Sequence, residues 1–166
     1  MKVNILIVED EVDIREGVSE YLSEVGYNVI SAEDGMQAIE IFNKNKFDLV
    51  ILDIMLPKAN GFIVLNKIRE ESNVPVITLT AMSDDYTQIM SFDEKADDYI
   101  TKPFSIILLH KRIEALLRRR LKDDESKKEQ ISLICNQIVD IALLSNKELD
   151  EFIKRNNQLM SMVISL

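Results

Sequence analysis

The chain has 166 residues, enough for one ordinary domain or one domain with an appendage, and a buried core needs no staples at that length. With 20 Lys plus Arg against 29 Asp plus Glu, the net charge of -9 excludes a generalised polyanion-binding surface. The 46% apolar and 30% charged content excludes disordered and collagen-like chains, and the lone Cys135 and lone His110 exclude an internal disulfide and a Cys/His zinc site.

The first apolar run, Val3 to Val8, predicts a strand. It is too short for a signal-peptide core or a membrane span, so a cytoplasmic chain with no membrane partner is expected. Ile14, Val18, Tyr21, Leu22 and Val25 then share one helical face, and Gly26 stands where such a helix is capped. A second run, Tyr27 to Ile30, is followed by a helix opening at Asp34-Gly35 and carrying Ala38, Ile39 and Phe42. The third run, Leu49 to Leu52, precedes a helix that opens at Asn60-Gly61, carries Val64, Leu65 and Ile68, and stops at Asn73-Val74-Pro75. Val76 to Leu79 and a helix over about Asp84 to Glu94 form the fourth unit. The short strand Tyr99-Ile100 and a helix carrying Leu109, Ile113, Leu116 and Leu117 form the fifth. Strands alternating with helices in this way predict a parallel sheet covered on both faces.

Beyond Arg118-Arg119-Arg120 the composition changes. All 4 Gly and all 3 Pro lie at or before Pro103, leaving the last 63 residues without a breaker. Lys122 to Glu129 is a mixed-sign stretch, read as a linker or an exposed helical turn. Ile131, Ile134, Ile138, Ile141 and Ala142 keep helical spacing after it, and Ser145 with Glu148 makes a capping box before Leu149, Phe152 and Ile153. A helical hairpin is expected there. Charge divides along the same line, with 9 basic and 20 acidic residues in 1–103 against 11 and 9 in 104–166. The arginine cluster reads as a solvated helix end at its favoured dipole position rather than a phosphate clamp.

Ligands of open parallel sheets gather at the carboxyl ends of the strands. Glu9-Asp10 end the first strand, Asp53 the third and Thr80 the fourth, while the fifth runs into Lys102-Pro103. Carboxylates from two neighbouring strands crowd negative charge at one edge, which is costly unless a divalent cation sits among them, and oxygen-only ligands select Mg²⁺ or Mn²⁺. With such a cation, Asp53 can act as a nucleophile toward a phosphoryl group whose charge Lys102 helps neutralise, and Thr80 can donate a hydroxyl bond to the same group. Taken alone, Glu9-Asp10-Glu11 reads as a solvated helix start and Thr80 or Lys102 as structural residues. Their joint occurrence at successive strand ends favours the site.

These residues carry a resemblance. Ile5 to Glu11, Asp53-Ile54-Met55-Leu56-Pro57 with Asn60-Gly61, Leu79-Thr80-Ala81, and Ala96 to Phe104 resemble, in order, the motifs of the receiver domain of two-component response regulators. The match covers about residues 1–120 and most resembles the OmpR/PhoB branch. The resemblance implies a flavodoxin-like (CheY-like) five-stranded parallel sheet of order 2-1-3-4-5, followed here by a C-terminal helical extension over 121–166. It implies that Asp53 accepts a phosphoryl group from a sensor histidine kinase. Glu9, Asp10, Asp53 and the Met55 carbonyl would hold Mg²⁺, Thr80 and Tyr99 would form the switch pair, and a cis bond would precede Pro103. The chain would thus be a phosphoacceptor signalling protein that assists its own phosphoryl transfer and dephosphorylation, not an enzyme in the ordinary sense.

The sequence also departs from that pattern. Lys95 stands where Gly is usual, Gln88 replaces a basic residue on the face used for dimerisation, and Ile106-Ile107-Leu108 replaces a polar helix start, while Asp97, Asp98 and Arg112 remain. A homodimer through the fifth helix and the tail is expected. The branch normally continues into a winged-helix domain, whereas only 46 residues follow Arg120, so DNA binding by this chain alone is not expected. The alternative is a truncated OmpR/PhoB-like transcriptional regulator that has lost DNA reading. Two other classes fit less well. An aspartyl-phosphate phosphatase would carry a second Asp where Met55 stands, and Glu9-Asp10-Glu11 would repel the phosphate of a flavin.

Overall fold

The computed structural model describes residues 2–58, 60–81 and 96–142, together with 148, 150, 151, 153 and 154. In chain order the elements are β1 (Asn4–Val8), α1 (Val12–Glu24), β2 (Asn28–Ala32), α2 (Gly35–Lys44), β3 (Leu49–Asp53), α3 (Gly61–Glu71), β4 (Val76–Ala81), β5 (Asp98–Lys102) and α4 (Ile106–Ala142). The strands form one five-stranded sheet in the order β2-β1-β3-β4-β5, and every neighbouring pair is parallel. This is the flavodoxin-like order anticipated from the sequence.

Side-chain alternation along the strands divides the core into two layers. Ile5, Ile7, Leu49, Ile51, Ile77, Leu79 and Ile100 pack with Val18 and Leu22 of α1 and with Leu109 and Ile113 of α4. Leu6, Val8, Val50, Leu52 and Val76 pack on the other face with Ala38 of α2 and Val64, Leu65 and Ile68 of α3. Because both faces are covered, the central strands read as unbroken apolar runs, and Leu49 to Leu52 are wholly buried.

Local chemistry sets the helix ends. Gly26 has φ 104, and the N–H groups of Gly26 and Tyr27 donate to the carbonyls of Ser23 and Leu22, closing α1. Asp34 caps α2 by accepting from the Gln37 N–H at 2.9 Å, and Asn60 caps α3 by accepting from the Phe62 N–H at 3.0 Å.

For residues 122–129 the sequence left a linker or an exposed helical turn open, and the structure has the helical one. Residues 122–129 are helical and continuous with the residues on either side, so α4 runs for 37 residues. No Gly or Pro interrupts it, and Asp123 with Lys127 and Asp124 with Lys128 stand at the i,i+4 spacing that supports a solvated helix. Two compact units are distinguished, Met1–Arg120 and Leu121–Leu166. Residues 148, 150, 151, 153 and 154 are helical. The helix expected over 84–94, the departures at Gln88 and Lys95, and Ser145 of the capping box lie outside the described residues.

Gly61 admits a close approach of backbone. A Cβ there would lie 2.3 Å from the Asp53 carbonyl oxygen and 2.6 Å from the Ile54 Cα, both fixed backbone atoms. Gly61→Ala is expected to lower unfolding stability by ~1–3 kcal/mol, the range for forced overpacking. Gly17, inside α1, has nothing within 4 Å of its Cβ position. Gly17→Ala is expected to raise stability by ~0.5–1 kcal/mol by removing helix-interior glycine. Urea midpoints of the two variants check both signs.

Candidate functional site

Strand alternation carries the first layer's face to the carboxyl ends of three strands. Glu9 continues the series Ile5, Ile7; Asp53 continues Leu49, Ile51; and Lys102 follows Ile100. β1, β3 and β5 therefore deliver two carboxylates and an ammonium to the same edge. Glu9 is fully buried and Asp53 is 3% exposed, whereas Asp10, one residue past Glu9, is exposed.

Lys102 ties the group together. Its Nζ donates to Asp53 Oδ2 at 2.6 Å, to Glu9 Oε1 at 2.8 Å and to Glu11 Oε1 at 3.2 Å. The second Asp53 oxygen, Oδ1, accepts from the Met55 N–H at 2.8 Å. Arg15 braces the acidic loop from behind, its Nη1 donating to the carbonyls of Glu9 at 2.7 Å and Asp10 at 3.0 Å. Burial pushes the Glu9 carboxyl up to about 7, with the Lys102 hydrogen bond opposing and the nearby Asp53 charge adding to the rise. Burial works to lower the Lys102 pKa, but its bonds to Asp53 and Glu9 outweigh it and hold the ammonium protonated.

One ammonium does not satisfy this cluster. Glu9 Oε2 is buried with no hydrogen-bond partner among the described residues, and Glu9, Asp10 and Asp53 each offer an oxygen within 4.8 Å of the others. A hard divalent cation fits that donor set, since carboxylate oxygens suit Mg²⁺ or Mn²⁺ and the orphaned oxygen lacks a positive partner. Glu9, Asp10 and Asp53 are thus brought together as anticipated from the sequence. Met55 also stands at the site, its N–H donating to Asp53 Oδ1.

The anticipated switch residues lie on the neighbouring strands β4 and β5. Leu79 is the register partner of Asp53, so Thr80 sits one residue beyond it. The Thr80 hydroxyl is buried and donates to the Ala81 carbonyl at 3.2 Å. Tyr99 is the register partner of Thr78 and lines a cavity of about 280 Å³ with Thr101, Phe104, Leu108 and Arg112. A larger cleft, about 590 Å³, opens beside Lys102 between Glu11, Ile14, Pro103, Phe104 and Ile106. The Lys102-Pro103 bond is cis. Of the residues anticipated on a dimerisation face, Arg112 pairs with Asp98 at 2.7 Å, and Asp97 joins Arg69 at 2.7 Å.

Four contributors escaped the sequence reading. Arg15 and Glu11 lie beside the acidic pair, and only the fold aims them at it. Lys58 has φ 64 and its Nζ meets Asp34 Oδ2 at 2.6 Å, tying the loop after Asp53 to the cap of α2. Gly61 reads in sequence as a turn residue, and its role in admitting the Asp53 backbone is tertiary.

The family described as "Response regulator receiver domain" matches residues 5–114. The chain belongs to this family. Among curated relatives, the receiver region is 49% identical over 117 residues to "Response regulator RR06" of Streptococcus pneumoniae serotype 2, covering 70% of this chain and 54% of that protein. It is 48% identical over 119 residues to "Regulatory protein VanRB" of Enterococcus faecalis, covering 72% and 54%. The chain therefore spans about half the length of the curated relatives it matches. The receiver domain of the Francisella response regulator 1452 superposes with TM-score 0.66 at 32% identity, covering 72% of this chain and 99% of that one. The chemotaxis response regulator CheY4 of Vibrio cholerae superposes with TM-score 0.65 at 28% identity, covering 70% and 99%.

The receiver's charge arrangement has a direct consequence. Lys102→Ala leaves Glu9 and Asp53 buried against each other without a counter-charge. A loss of roughly 2–4 kcal/mol is expected in chelator, below the full penalty for breaking a buried pair because Lys102 retains some solvent contact. Millimolar Mg²⁺ should restore most of it, since a bound cation stabilises the folded state by mass action. Thermal unfolding with and without Mg²⁺ checks the difference, which should be larger for the variant than for the wild type.

Proposed function

We propose that this receiver is the phosphoaccepting switch of a two-component relay, with Asp53 as acceptor and a phosphohistidine of a sensor histidine kinase as donor. The observation that carries the reading is the Asp53 carboxylate, 3% exposed at the end of β3, with Lys102 Nζ at 2.6 Å and Glu9 and Asp10 beside it. In the transfer an Asp53 carboxylate oxygen forms the new bond to phosphorus. The bond from phosphorus to the donor imidazole nitrogen breaks, and the nitrogen keeps the electron pair. Glu9, Asp10, Asp53 and the Met55 carbonyl would hold Mg²⁺, which would supply charge neutralisation for the transferring group.

The chain's own groups do the rest. Lys102, already on Asp53 Oδ2, follows the phosphoryl oxygens as a fixed positive charge. Thr80 exchanges its bond to the Ala81 carbonyl for one to the phosphoryl group, and Tyr99 responds within its cavity. The same groups assist transfer and later hydrolysis, so the protein acts as a self-assisting phosphoacceptor in the cytoplasm rather than as an enzyme on external substrates. Among the described residues no helix is long and apolar enough to cross a membrane. The tail serves association of two chains. A truncated regulator, the alternative from sequence, draws on no observation among the described residues.

Incubation with acetyl phosphate and Mg²⁺ should add one hydroxylamine-labile phosphoryl group, read by intact mass. Asp53→Asn and wild type in excess chelator should add none. Labelling of Asp53→Asn equal to wild type would overturn the assignment. Thr80→Ala should still be labelled but show a reduced change in amide spectra around Tyr99.

A further inference from the structure

Residues 121–136 of α4 are all exposed, and Leu121, Ile131, Leu133, Ile134 and Ile138 are each 53–65% exposed. A helix with no covered face is marginal in water, because helices draw most of their stability from packing an amphipathic stripe. One line along it, which takes in Leu121, Ile131 and Ile138 but not Leu133 or Ile134, has a definite period. Leu121, Asp124, Lys128, Ile131, Cys135 and Ile138 follow one another at alternating intervals of three and four, the spacing of a coiled-coil seam.

The seam carries its own orientation signal. Its two charged positions, Asp124 and Lys128, are neighbours of opposite sign, flanked by Leu121 on one side and Ile131 on the other. A parallel second copy would set Asp124 against Asp124 and Lys128 against Lys128. An antiparallel copy centred at the height of Ser126 sets Asp124 against Lys128 twice and Leu121 against Ile131 twice. Desolvated like charges are heavily penalised at a seam, whereas opposite charges fix register and direction there. The same register places Glu125 near Glu125 and Lys127 near Lys127 at the rim, where solvent and salt screen them.

We propose that α4 pairs antiparallel with α4 of a second copy of this chain through Leu121, Asp124, Lys128 and Ile131. This deepens the reading of the tail as an association element and is independent of the phosphoryl chemistry at Asp53. It also assigns a place to Cys135. In the antiparallel register the two Cys135 residues lie 18 residues apart along the axis, about 27 Å at 1.5 Å per residue, too far for a disulfide. In a parallel pair they would face each other.

The test uses the full chain, unphosphorylated, by size exclusion with light scattering. The wild type should be a dimer. Asp124→Lys and Lys128→Asp should each weaken it at least tenfold, and the two together should restore it, because reversal of both recreates the opposite pairs. In a Cys135→Ser background, Leu121→Cys with Ile131→Cys should form interchain disulfides on mild oxidation, whereas native Cys135 should form none. A wild type that stays monomeric at high concentration, as it would if residues 143–166 or a different protein cover the stripe, overturns the proposal. So does a dimer indifferent to both single reversals, or one linked through Cys135. Acetyl phosphate labelling of the same variants reports an intact receiver, so failure of the pairing and failure of the phosphoacceptor assignment are read separately.

Discussion

The Lys102 ammonium lies within hydrogen-bond distance of carboxylates from Glu9, Glu11 and Asp53, and the geometry of the strand ends is organised around it. Two of those acids, Glu9 and Asp53, are buried at the end of an otherwise apolar layer. Without a counter-charge they would repel each other in a poorly solvated place. A parallel sheet makes the meeting unavoidable, since β1, β3 and β5 all point their carboxyl ends the same way and their alternation aims every second residue at the same face. The positive charge that makes this tolerable arrives from β5, at the far side of β4.

The cluster remains negative even with Lys102 in place. Glu9 Oε2 has no hydrogen-bond partner among the described residues, and burial, with the Asp53 charge adding to it, raises the Glu9 carboxyl to about 7. A site with surplus acid responds strongly to added charge of either sign, as the proposed cation binding and phosphoryl transfer require. Bracing from outside keeps the response local. Arg15 holds the loop carbonyls of Glu9 and Asp10, Lys58 ties the following loop to Asp34, and Gly61 lets α3 begin against the Asp53 backbone.

The first layer of the core connects this edge to α4, whose Leu109 and Ile113 pack with Ile100 and Leu79 just behind the charged residues. His110 adds a polar clasp on the same helix, its ring nitrogens lying 3.3 Å and 3.4 Å from the hydroxyls of Tyr21 and Tyr27. Within residues 1–120, α4 is therefore a packed helix. Beyond Leu121 it is an exposed one, and the physics that keeps it helical changes from burial to spacing of charges and absence of breakers.

Much was legible in the sequence by itself. The order of strands and helices, Gly26 and Asn60 at helix ends, and the strand-end set of Glu9, Asp10, Asp53 and Lys102 follow from periodicity and turn chemistry, which act over a few residues and leave local marks. The four ordered motifs added the family. Tertiary structure alone decided what depends on approach between distant segments. It turned Arg15 and Glu11 toward the site, placed the Thr80 hydroxyl on the Ala81 carbonyl, and gave Asp34 the Lys58 ammonium. It also joined the stretch 122–129 into α4, where mixed charge had left a linker or an exposed helical turn open. A residue's period fixes the face it occupies, but the partner it meets there is fixed by strand order and register, which join residues up to 93 positions apart, as for Glu9 and Lys102.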